Sequence, residues 1–493
     1  MPPSAPRLAA ALAVLAIALA ACVDTRAPSR VVADPSPAVA PVASRRNVPL
    51  AQAPGVAQAV DGRYLSWHEH IIDQQGADLP DLSGSDGLVE ADLDGDGFLD
   101  IVAVHESDTV YDGELIGHVR ISWGGPDPKR WTHTTLAAGT EAAAAEDAAI
   151  ADVNGDGAPD VLVACELAHL VYFQNPGGAA ARRARWPRAL IDVTRHRGSY
   201  IRAFLADFDG DGRPEAVAAN KGEQSPDPAT ARRSEISLYL PGADPLDPGN
   251  WREQVLGRVR IPINAEPVDL DGDGDLDVVA GSRGERRLLW FENLGGLAFV
   301  EHAVTIADPR PSNRWITGFN MAYADMNADG RLDIVVNEWP DALVWLAQPA
   351  TPDGLWRRHE IGSIAPDRLV SVALADIDGD GDLDAFSGAY SAGPRDVDGP
   401  LVGAADPLGR ISWFEQRADG WRRHDISRRK RGMFDKWLVR DVDGDADLDV
   451  LGTRGNSEPY DGVFWLEQIR SEEPRAVFQP ARSVDSQQMP LPR

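Results

Sequence analysis

Cysteine is nearly absent from this 493-residue chain, which holds only Cys22 and Cys165. Two cysteines cannot build a disulfide framework, so a fold of this size, if it leaves the cytoplasm, needs another staple. Basic residues are scarce: 48 stand against 77 acidic ones, for a net charge of −29. With no basic stripe, nucleic acid is not an expected partner. The apolar run at residues 8–20 has 13 residues, too few for the roughly 20 that span a bilayer. The sequence carries no His-Glu-x-x-His, no Gly-x-Ser-x-Gly and no phosphate-binding glycine loop, so no established catalytic constellation is present.

What is abundant is one acidic loop, written seven times. The first copy reads Asp92-Leu-Asp94-Gly-Asp96-Gly-Phe-Leu-Asp100, and the copies recur every 51 to 65 residues. Positions 1, 3, 5 and 9 are Asp92, Asp94, Asp96 and Asp100, then Asp152, Asn154, Asp156 and Asp160 in the second copy. The third and fourth copies have Asp207, Asp209, Asp211 and Glu215, then Asp269, Asp271, Asp273 and Asp277. The last three have Asp325, Asn327, Asp329 and Asp333, then Asp376, Asp378, Asp380 and Asp384, then Asp441, Asp443, Asp445 and Asp449. Carboxylates at odd spacing converge only if the chain curls, and glycines at positions 4 and 6 supply that freedom. Hard oxygen ligands closed by a final carboxylate describe a calcium site, by the logic of the EF-hand loop. The expectation is up to seven structural Ca2+ ions.

The charge balance supports this reading. The loops hold 26 acidic ligand positions, and Asp275, Asp382 and Asp447 bring their carboxylates to 29, the whole net deficit. The remainder of the chain is neutral. Two copies break the glycine pattern, Ala328 at position 4 and Ala446 at position 6. A Cβ where the turn needs φ > 0 makes the Asp441 loop the expected weakest site.

Residues 8–20 suit a signal-peptide core, and Leu19-Ala20-Ala21-Cys22 resembles the bacterial lipobox, after which Cys22 becomes a lipidated N-terminus. The alternative is an ordinary secretory signal with an incidental cysteine. Val23 stands where an aspartate would retain the product at the inner membrane, so the expected destination is the outer membrane or cell surface, reached by a lipid anchor alone. The expected organisation is signal segment 1–22, an Ala/Pro-rich tether 23–60, a repeat body 61–470 and an irregular tail 471–493.

Each loop lies between two short apolar runs, such as residues 88–91 and 101–104. A third run follows with an aromatic centre, as at Trp123, Trp290, Trp345, Trp413 and Trp465, and then a fourth, often Trp-x-x-His-x-Ile as at Trp356 to Ile361. Four β-runs per repeat is the pattern of a β-propeller blade. The predicted fold is all-β, a seven-bladed propeller of four-stranded antiparallel blades. The seventh copy lacks a fourth run while residues 67–72 stand alone before the first, so the N-terminal strand is expected to close the last blade; residues 476–478 are the alternative.

These loops in four-stranded repeats resemble the FG-GAP/VCBS-repeat propellers, related to the integrin α-subunit head, over essentially all of residues 61–470. Clear Phe-Gly and Gly-Ala-Pro signatures are missing, so the resemblance is to the bacterial VCBS-type group. It implies side-chain ligands at positions 1, 3, 5 and 9 and a backbone carbonyl ligand at position 7. The family includes adhesins, lectins and polysaccharide lyases, and does not fix a function.

Strand ends away from the loops form the opposite face. Five residues before each loop stand Gly87, Asp147, Arg202, Asn264, Asn320, Ser371 and Lys436. Just past the second runs come His105, Glu166, Lys221, Arg283, Glu338 and Arg454, with Trp339 and Trp437 close by. The leading expectation is a non-enzymatic propeller binding a carbohydrate or protein on this face, where solvated strand ends are the plain alternative. A second is a lyase acting on an acidic polysaccharide, with Arg202 and Lys221 neutralising a uronate and His105, Tyr200 or Tyr390 as the base. A third is a scaffold without a ligand. His70, His302, His359 and His424 share one repeated position and are assigned to the scaffold.

Overall fold

The computed structural model describes residues 48–492 apart from 76–81, 109, 184, 308–310, 352, 394, 396 and 397. The expected signal segment, Cys22 and the part of the expected tether before residue 48 lie outside the described residues. The rest is a ring of seven blades, each a four-stranded antiparallel sheet, with a short parallel fifth strand added in blades 5 and 7. The first strands, each leading into an acidic loop, are Ser85–Ala91, Ala145–Ala151, Tyr200–Ala206, Pro262–Val268, Trp315–Ala324, Arg368–Ala375 and Trp437–Arg440. Each second strand begins on the position-9 acid, from Asp100–His105 to Asp449–Arg454.

Alternation along the strands explains the layering. The second strands are buried, as Asp100–His105 and Asp160–Cys165 show, because blades cover both their faces; only Trp339 and Tyr390, each at a strand end, are half-buried. The fourth strands alternate and face solvent, as in Leu355–Ser363. Seven apolar clusters form the core, each spanning two neighbouring blades. No blade thus owns a core of its own, which is the logic of a repeat array.

The ring is closed by the N-terminal strand Tyr64–Gln74, which pairs antiparallel with Gly462–Ser471 as the fourth strand of blade 7. The tail contributes as well, since Phe478–Gln479 adds a parallel fifth strand outside it. The two candidate partners identified in the sequence are both used, in adjacent places.

Candidate metal loops and the opposite face

In each loop the first aspartate organises the turn. Asp92 accepts from the N–H groups of Gly95 at 2.8 Å, Asp96 at 3.1 Å and Gly97 at 2.9 Å. The position-6 N–H donates to the first carboxylate in all seven copies. These bonds hold positions 4 and 6 at positive φ, including Ala328 at +58° and Ala446 at +73°. One carboxylate oxygen each from Asp92, Asp94 and Asp96 falls within 4.8 Å of the others, and Asp269, Asp271 and Asp273 repeat this. In the third loop the trio is Asp207, Asp209 and Glu215. Arg182 bonds Asp94 and lies 2.7 Å from Asp96, a cation already drawn to the first loop.

Position 9 has a second task. In six copies its carboxylate accepts the N–H of loop position 2 and an N–H at or near the end of the third strand, at 2.8–3.1 Å. Burial pushes Asp100, Asp160 and Asp277 up to about 6, Asp449 to about 7 and Asp384 to about 8, against those backbone bonds. A carboxylate offers about four lone-pair sites, so two N–H bonds leave room for a cation. The acid set therefore fits a hard cation, with positions 1, 3 and 5 converged and position 9 behind them.

The opposite face differs from the expectation of exposed side chains. His105, Asp147, Glu166, Arg202, Lys221, Asn264, Asn320, Glu338, Trp437 and Arg454 are all buried. In six blades the ladder between first and second strands slips near the position five residues before the loop. Such irregularities re-aim side chains, and here residues of different blades meet around the axis. Arg202 bonds Asp435 and, at 3.2 Å, Asn320, and lies 3.8 Å from Asp147, with Lys436 3.9 Å from Asp147. Lys221 bonds Glu166. The acidic pair of blade 2 and the cationic pair of blade 3 neutralise one another. Arg454 is held by Asp485 of the tail at 2.6 Å.

Trp437 is also corrected, from a sugar platform to core. It packs on Phe386, Phe434 and Phe464 at centroid distances of 4.9–6.0 Å. The lyase set is not assembled. His105 and Tyr200 are fully buried; His105 bonds Ser85 and burial lowers it to about 4, while Tyr200 is raised to about 12 beside Tyr239. Tyr390 remains half-buried.

Two of the expected residues do face outward. Arg283 is exposed and Trp339 half-buried. Trp339 pairs across the blade-5 strands with half-buried Trp315, centroids 6.4 Å apart. Arg286 lies 4.2 Å over Trp315 and Arg368 5.5 Å over Trp339. Among the described residues, none of these three arginines has a carboxylate within 4.0 Å. Sequence reasoning missed Arg286 and Arg368, because turn and strand-start arginines carry no periodic signal; Trp315 was visible only as a tryptophan outside the repeat.

A profile of the FG-GAP-like repeat family matches residues 92–163, 269–336 and 325–387. No curated protein matches the chain. Among solved structures it is similar to YCF48 from Cyanidioschyzon merolae, at 11% identity over 81% of this chain and 98% of that one, with a TM-score of 0.46. The V. cholerae biofilm matrix protein Bap1 is 11% identical over 83% of this chain and 91% of its own, with a TM-score of 0.39. The chain is thus a seven-bladed β-propeller that carries FG-GAP-like repeats in three places.

Proposed function

We propose that the chain is an exported, lipid-anchored propeller, stapled by calcium, that binds a carbohydrate bearing acidic groups on the face opposite its loops. The Trp315–Trp339 pair, with Arg286 and Arg368 over the indoles and no carboxylate to neutralise them, carries this reading. A flat apolar surface stacks on a sugar ring, and guanidinium forks suit planar anionic groups.

Calcium in the loops would be held by the position 1, 3, 5 and 9 acids and would offset their mutual repulsion. At extracellular affinities and millimolar calcium each filled site adds roughly 1 kcal/mol. Melting in calcium and in EGTA is expected to differ by many degrees; coincident curves and no bound metal would remove the calcium part. The ligand is tested on an acidic-glycan array in calcium, comparing the natural chain with Trp339→Ala and Arg286→Ala. Binding that both variants lose supports the reading. No binding, or binding that both retain, sinks it. Radiolabelled palmitate on Cys22, absent in Cys22→Ser, tests the anchor.

A further inference from the structure

Asp86 lies on the first strand of blade 1, Glu106 just past the second, and Glu146 on the first strand of blade 2. All three are on the side away from the acidic loops. One carboxylate oxygen from each falls within 4.8 Å of the other two, and the residues are only 1, 2 and 6% exposed. Three buried carboxylates so close repel strongly unless something positive joins them.

Lys221 and Arg202 are committed elsewhere, and Arg283 acts on Glu146 only from beyond ion-pair distance. Lys221 is taken by Glu166, and Arg202 by Asp435 with Asp147 alongside. Arg395 comes within 3.6 Å of Glu106, but no cation of the described residues is within 4.0 Å of Asp86 or Glu146. Both oxygens of Asp86, and Oε1 of Glu106, are buried without a hydrogen-bond partner. A buried polar atom with no partner in a native fold calls for an explanation, and an unseen ion is one that three converging carboxylates suit. The Gly84 backbone, at φ +60°, packs closely against the cluster: a Cβ built there would sit 2.9 Å from Glu106 Cβ and 3.0 Å from its Oε2, too close for any side chain.

We propose that Asp86, Glu106 and Glu146 bind one hard divalent cation, at a site separate from the seven loops. All-oxygen, all-carboxylate donors suit Ca2+, Mg2+ or Mn2+ rather than a softer metal. Burial and mutual repulsion hold all three carboxyls well above the ordinary range. Shared protons are thus the competing way to relieve the repulsion. A cation here would tie blade 1 to blade 2 beside the axial ion pairs.

The test uses Mn2+ as the probe on the full chain. Equilibrium dialysis with metal analysis is expected to show one Mn2+ equivalent fewer in Asp86→Asn and in Glu146→Gln than in the natural chain. Loop occupancy is expected to stay unchanged. An anomalous difference map of Mn2+-grown crystals of the natural chain should show a peak among the three carboxylates; this reading survives even if a variant misfolds. Unchanged stoichiometry in folded variants, or loops filled with no peak at the cluster, overturns the proposal. So does a carboxylic-acid C=O infrared band, lost in Asp86→Asn, that persists in saturating Mn2+.

Discussion

At the repeated fourth-strand position, His302 and His424 each lie against a third-strand indole, 5.0 Å from Trp290 and 4.6 Å from Trp413. Each also bonds the glutamate two residues beyond that tryptophan, at 2.6 Å. Their titrations nevertheless go in opposite directions. Burial lowers His424 despite Glu415. In His302 burial is outweighed by bonds to Asp353 and Glu292, and the net shift is upward. His424 therefore costs stability as pH falls below the unfolded value of about 6.5. His302 contributes stability below that value and loses it as pH rises through its higher folded pKa. Histidine-selective NMR titration is expected to place His302 above His424, with Asp353→Asn bringing His302 down; the reverse order would refute the assignment. Ala446 gives a second test. A left-handed non-glycine residue costs roughly 1–3 kcal/mol, and its φ is +73°. Ala446→Gly, after the entropy cost of glycine, is expected to gain about 1 kcal/mol in a urea titration. Both features were legible in the sequence, as a repeated histidine and a broken glycine pattern. The opposite titrations were not, because Asp353 belongs to no repeat.

Between blades, the sequence concealed a latch that the structure repeats. A side-chain amide at or near the end of the third strand reaches the carbonyl of loop position 2 in the preceding blade. Asn175 bonds Leu93 O at 2.8 Å, Asn293 bonds Phe208 O at 2.8 Å, Gln348 bonds Leu270 O at 2.8 Å and Gln468 bonds Ile377 O at 3.0 Å. Asn and Gln alternate in that role, so no single letter marked it. Gln468→Ala would leave the Ile377 and Leu448 carbonyls without their donor, at a cost of roughly 1–3 kcal/mol. Urea unfolding should show that loss, while Gln468→Glu should fail to rescue it, having no N–H to give. The axial residues were half legible for a related reason. Their polar period was visible in sequence, but the slipped ladders that turn them toward the axis are set by pairing with another strand. Polar residues among apolar ones therefore read as a solvated rim when they are a buried ion-pair hub. The outward arginine and tryptophan cluster sits where turns vary from blade to blade, and periodic reasoning is blind there.

For the whole ring, closure joins residues some 400 positions apart, from Tyr64 on Ser471 to Gln74 on Gly462. Blade 7 without this strand would show an open edge and leave Trp465 without the ring of His70, stacked on it at 4.4 Å. The isolated run at residues 67–72 announced this closure, since a propeller with an orphan strand and an incomplete last blade has one economical solution. The tail's contribution was less visible: Asp485 reaches Arg454 through irregular chain whose composition carries no strand signal. Open edges recruit strands from other molecules. A chain starting at residue 76 is therefore expected to associate into oligomers at micromolar concentration, as seen by light scattering. A synthetic peptide of residues 64–74 supplies the missing strand by β-addition and should return that chain to monomer. The same peptide with Trp67→Ala and Ile72→Ala, which removes two buried side chains of the closing strand, should not. If the truncated chain stays monomeric and melts like the full one, the ring does not depend on its N-terminal strand.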